Sequence, residues 1–189
     1  MRKKRIIIGL TGFIASGKGS AADIVKNEFG FAYYSLSDQV RQMAKYYGNQ
    51  VTREILQSIG DEMRHMLGGD ILAKLTAALI WAEAKDHAVI DGIRNPHEVE
   101  FLRQNPYFKL IAVVAESKVR FERLLKRGRP SDPKTFEDFI IMDDRDQGMG
   151  QNDLGQQVKK CVDMADYVLD GNGLLKDFQK RVRTLVRKI

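Results

Sequence analysis

Residues 5–20 read RIIIGLTGFIASGKGS and set the architecture of the rest of the chain. Ile6, Ile7 and Ile8 make a short apolar strand that feeds a glycine-rich turn. The turn ends in Gly17-Lys18-Gly19-Ser20 and opens a helix. Gly12 and Gly17 let the backbone curl so that successive N–H groups point inward. Lys18 adds a mobile positive charge, and the helix behind it aims its positive dipole end at the same spot. Phosphate is the group such a turn holds. Gly12, Gly17 and Lys18 satisfy G-x-x-x-x-G-K, but Gly19 stands where Ser or Thr usually follows, and the hydroxyl comes one step later at Ser20. The candidate phosphate-binding residues are Gly12, Ala15, Ser16, Gly17, Lys18, Gly19 and Ser20.

Beyond this stretch, short apolar runs alternate with longer amphipathic ones, which predicts a parallel sheet covered by helices. Strands are expected at 5–10, 31–35, 88–91, 110–115 and 167–169. Several read as continuous apolar runs, as strands buried on both faces do. Helices are expected at 18–29, 38–47, 52–66, 71–85, 97–104, 118–126, 135–145 and 174–189. The helices at 38–85 exceed what a crossover needs and predict a separate lobe over the sheet. Gly128-Arg129-Pro130-Ser131-Asp132-Pro133 interrupts two helical patterns and marks a loop, a candidate lid at about 127–135. The last helix puts Leu175, Phe178, Val182, Leu185 and Val186 on one face, which is core packing.

Composition narrows the class. A chain of 189 residues with 43% hydrophobic content makes one domain around one sizeable core. No apolar stretch is long enough to span a membrane, and no secretory leader is read. The single cysteine, Cys161, excludes an internal disulfide and suits a reducing cytoplasm. His65, His87 and His97 have no metal-ligand spacing with it, so no structural zinc is read. The net charge of +6 raises the question of nucleic acid. Its basic residues are gathered in RKKR at the start, in 118–129 and in the last helix. The middle group is better explained as a phosphate clamp, so a small-molecule partner is the leading expectation and nucleic acid the lesser one.

Three constellations carry chemistry. His87-Ala88-Val89-Ile90-Asp91 is a strand ending in an acid, where parallel sheets bind ligands. Asp91 is there a candidate magnesium partner beside Ser20, and Arg94 a guanidinium aimed at phosphate. The run Ser35-Leu36-Ser37-Asp38-Gln39-Val40-Arg41 starts a helix with Ser37 as cap and Asp38 in its first turn. Arg41 is read as a contact to the acceptor's phosphate, and Asp38 as a group that orients or deprotonates an acceptor hydroxyl. Arg123, Arg127 and Arg129 have spacings that converge on phosphates, with Arg127 at the Gly128 hinge and Arg145 next. The catalytic candidates are Lys18, Arg94, Arg127, Arg145 and Asp38.

These motifs together resemble the nucleoside monophosphate kinase superfamily. Gly-Lys-Gly-Ser is similar to the Gly-Lys-Gly-Thr loop of adenylate kinases. The wording of 91–100, DGIRNPHEVE, is closer to a subgroup, the dephospho-CoA-kinase-like and deoxynucleoside-monophosphate-kinase-like proteins. Thr52-Arg53-Glu54-x-Leu56-Gln57-x-x-Gly60 looks like that subgroup's acceptor-side helix, which adds Arg53 to the substrate-binding candidates Asp38, Arg41 and Arg94. One departure is Gly171, where dephospho-CoA kinases often carry Asn after the last strand. The resemblance implies an α/β fold with a five-stranded parallel sheet, a helical acceptor lobe and a small lid. It also implies ATP and magnesium as cofactors. The expected activity is transfer of the γ-phosphoryl group to a nucleoside or deoxynucleoside monophosphate. Dephospho-CoA is the alternative acceptor, and a P-loop ATPase acting with nucleic acid is the alternative class.

Overall fold

The computed structural model describes residues 5–48, 52–130 and 132–189, with the backbone alone at Arg53 and Glu54. Five strands form one parallel sheet: β1 (Ile6–Gly12), β2 (Ala32–Ser35), β3 (His87–Asp91), β4 (Phe108–Val114) and β5 (Tyr167–Asp170). Their spatial order is β2-β3-β1-β4-β5. Alternate residues of the central strands enter two different cores. Ile7, Ala88, Ile90 and Leu110 face one side of the sheet, while Ile8, Leu10, Val89, Ile111 and Val113 face the other. Both faces are apolar because both are covered, which is why period-2 polarity is absent from the sequence.

Helices α1 (Lys18–Phe29) and α9 (Leu175–Lys188) cover the second face. The first is covered by α2 (Leu36–Tyr46), α3 (Arg53–Leu67), α4 (Ile71–Ala82), α5 (Pro96–Arg103) and α8 (Val158–Asp163). Between them, α6 (Ser117–Arg127) and α7 (Phe136–Gln147) follow β4 and carry Arg120, Arg123 and Arg127 past the carboxyl end of β1. Among the described residues, no helix is long and apolar enough to cross a membrane.

Two local expectations change. Ser37 does not cap α2. That helix starts at Leu36 with Ser35 as its N-cap residue, because the wholly buried Leu36 turns the chain into the core directly after β2. The helix α8 goes unseen in the sequence because its six residues are too few to show a 3.6-residue period.

Candidate active site

The carboxyl ends of β1, β2 and β3 open into a cleft of about 810 Å³. Its floor is the glycine turn after β1. Gly12 has φ +133°, and a Cβ there would lie 2.0 Å from the Val113 carbonyl oxygen of the neighbouring strand. Ala15 holds a positive φ of 56°, a conformation uncommon outside glycine that loops at binding sites retain. Gly17 caps α1 with φ +116°.

Lys18 folds back over this turn. Its Nζ donates to the carbonyls of Gly12 at 2.6 Å and Phe13 at 2.7 Å. Burial pushes its ammonium down to about 8; Asp91 and Asp146 pull the other way, and Arg94 and Arg120 add to the depression. A lysine desolvated in this way regains its charged form when an anion comes beside it.

Asp91 ends β3 between Leu10 of β1 and Ser35 of β2. Its Oδ2 accepts a hydrogen bond from the Tyr33 hydroxyl at 3.2 Å, which helps hold that phenol up at about 12, after burial and with the charge of Asp91. Its Oδ1 is buried with no hydrogen-bond partner among the described residues. An unsatisfied buried carboxylate oxygen is costly to leave, and a cation is one group that would satisfy it. Ser20 lines the same cleft. Oxygen donors of this kind fit magnesium.

On the other side stand the arginines. Arg94 Nη1 donates to Gln156 Oε1 at 3.0 Å, and Arg41 Nη1 pairs with Asp38 Oδ1 at 2.7 Å on α2. All four residues line the cleft. Arg127 grips Asp132 through Nε at 2.9 Å and Nη2 at 2.5 Å, and both line the rim. The Arg53 side chain lies outside the described residues. Arg123 lines the cleft beside Arg127 and Arg129, whereas Arg145 departs from expectation. Arg123 donates to the carbonyls of Ala15, Ser16 and Gly171, so it braces the loop against the residue after β5. Arg145 is exposed on α7 outside the lining of the cleft, because the same helix turns the buried Asp143 and Asp146 inward.

Sequence reasoning passed over several residues that the fold brings here. Arg64, Gln57, Asp146 and Gln156 all line the cleft, with Gln57 Nε2 donating to Asp146 Oδ1 at 3.2 Å. Arg120 is buried beneath the loop on Asp143 and donates to the Ile14 carbonyl at 3.4 Å. The Asn95-Pro96-His97-Glu98 capping box marks Glu98 in the sequence and fixes where it points, but it carries no signal for Arg64.

Residues 8–147 match the family model AAA_18, described as an AAA domain. Over 97% of its length the chain is 34% identical to a UPF0200 protein of Pyrococcus horikoshii, and the match spans 97% of that protein. The chain belongs to the UPF0200 family and carries an AAA domain. Its fold is that of P-loop kinases. Shikimate kinase from Aquifex aeolicus superposes with a TM-score of 0.54 at 16% identity, over 96% of each chain. Dephospho-CoA kinase from Campylobacter jejuni does so with a TM-score of 0.50 at 14% identity, over 98% of each chain. Likenesses this distant concern the backbone; the family membership rests on the UPF0200 and AAA-domain matches.

Proposed function

We propose that this protein is an ATP-dependent kinase that transfers the γ-phosphoryl group to a nucleoside or deoxynucleoside monophosphate in the cytoplasm. One observation carries the reading. A phosphate loop with its lysine and a second group of arginines, Arg41 and Arg94, line one cleft together with Asp91. A nucleotide hydrolase needs the first half of that arrangement. The second half is what an anionic acceptor requires.

Phosphoryl transfer asks for positioning and charge neutralisation more than for a protein nucleophile. Lys18 leaves the Gly12 and Phe13 carbonyls to follow the transferred group, and the backbone N–H groups of the loop hold the β-phosphate. Ser20 and Asp91 are the residues that would hold magnesium, which when bound neutralises oxygens of the β- and γ-phosphates. Arg94 and Arg41 orient the acceptor's phosphate, and Arg127 turns from Asp132 to the transferred group. Asp38 is occupied by Arg41, which suits an acceptor that has no proton to lose. Residues 38–85 serve as the acceptor lobe and residues 127–135 as the lid, closing to exclude water.

The test is ADP formation from ATP and magnesium in the presence of nucleoside monophosphates, deoxynucleoside monophosphates, dephospho-CoA or nucleic acid. Turnover is expected with a monophosphate. Stimulation by nucleic acid alone rejects the kinase reading, and turnover with dephospho-CoA alone moves the acceptor.

A further inference from the structure

Arg64 is a guanidinium with 4% exposure that nevertheless lines the cleft. Taking a charge out of water is costly unless carboxylates and hydrogen bonds compensate. Two carboxylates do so here. Nε and Nη2 each donate to Glu98 Oε1 at 3.2 Å, and Nη1 donates to Asp61 Oδ1 at 3.3 Å.

The two partners are unlike. Glu98 is wholly buried, and its Oε2 accepts the backbone N–H groups of Arg94 at 2.8 Å and Asn95 at 3.1 Å. A single carboxylate therefore ties the guanidinium on α3 to the loop that carries Arg94. Helix capping alone calls for no buried arginine. Asp61 sits one turn from Arg64 on the same helix, with its side chain 34% exposed and one hydrogen bond to the guanidinium. Burial raises its carboxyl above the usual range, and Arg64 and Arg145 only partly offset this. It is the weaker and more exchangeable of the two ligands.

We infer that Arg64 is an acceptor-binding residue, that Glu98 positions it, and that Asp61 is a placeholder which the acceptor's phosphomonoester group displaces from Nη1. The identity of the acceptor rests on the kinase reading; the site itself is defined by this pair of arginines. A phosphomonoester presents three oxygens, enough to take Arg64 and Arg94 together, and Glu98 ties the Arg64 guanidinium to the backbone from which the Arg94 side chain extends.

The test is calorimetric binding of AMP to the full chain in the presence of a non-hydrolysable ATP analogue. Asp61→Asn removes the competing charge and should tighten AMP by about two- to fivefold, the scale of one partly exposed ion pair. Arg64→Lys keeps the charge but loses the fork, and should weaken AMP by about tenfold or more. Affinity for the ATP analogue should stay constant in both. Glu98→Gln should raise the acceptor KM more than it lowers kcat, a split that general loosening of the fold does not give. Thermal unfolding checks each variant, and if Arg64→Lys does not fold, Asp61→Asn decides. Unchanged or weaker AMP binding in Asp61→Asn overturns the proposal, as does failure of the unsubstituted protein to bind AMP. If AMP binding shifts as expected but no monophosphate is phosphorylated, the kinase reading falls and the site stands. If phosphorylation proceeds and AMP affinity does not move, only this inference falls.

Discussion

Arg120 holds Asp143 at two points, 2.5 Å and 2.7 Å, with both side chains almost wholly out of solvent. The pair lies under the phosphate loop rather than in it. The Arg120 guanidinium also stacks on the rings of Phe13 and Phe139, 5.1 Å and 5.2 Å from their centroids. Through it, α6 and α7 are fastened to the glycine turn after β1.

Breaking this pair should therefore be a stability event first. Asp143→Ala leaves a buried guanidinium without its carboxylate, and such losses cost about 3–5 kcal/mol. Urea unfolding followed by circular dichroism should show a large drop in the midpoint. Asp163→Ala cuts the exposed pair with Lys159 and should leave it nearly unchanged. Equal effects of the two would mean that Arg120 finds another partner.

Lys18 should be the residue whose loss costs most activity. Lys18→Ala is expected to lower turnover by roughly a hundredfold or more, the scale of one transition-state stabiliser. The pH dependence has a definite sign. Lys18 sits at about 8 because burial disfavours its charged form, and bound phosphates would favour that form and raise it. Nucleotide binding between pH 8 and the usual lysine value then takes up a proton, and affinity falls as pH rises through about 8, by at most about tenfold per pH unit. Titration calorimetry in buffers of different ionisation enthalpy measures the uptake, which Lys18→Met should abolish.

Asp38 and Arg41 separate the acceptors. The acid is bound to its own arginine at 2.7 Å, three residues along α2. If the acceptor is a monophosphate, Arg41→Ala should raise its KM strongly while Asp38→Asn costs little in kcat. If it is a hydroxyl, general-base help worth about a hundredfold to ten-thousandfold is lost in Asp38→Asn. Steady-state kinetics with AMP and with dephospho-CoA distinguish the two.

What could be read in advance follows from the range over which each feature is determined. The central strands are legible because each is apolar on both faces, and α1 because Gly17 and Gly30 bound it with left-handed caps. Lys18, Asp91 and Arg94 were legible because strand ends and glycine turns mark their positions locally. Arg64 was not, since its partner Glu98 lies 34 residues away and no local pattern joins them. The spacing of Arg123 in the sequence points to a phosphate clamp. Its actual acceptors, the carbonyls of Ala15, Ser16 and Gly171, are backbone groups that any residue supplies.

Gly171 has a Cβ position only 2.2 Å from the Ser16 carbonyl oxygen, so the phosphate loop and the residue after β5 are in backbone-to-backbone contact. Arg123 spans the same junction with its 2.6 Å bond to Gly171. The AAA-domain match stops at residue 147, before this contact is reached. A polypeptide shortened there keeps every residue of the nucleotide motif yet loses the wall against which the loop is pressed. The glycine turn is accordingly walled by residues beyond the AAA-domain match, Gly171 against Ser16 and Phe178 beside Gly17.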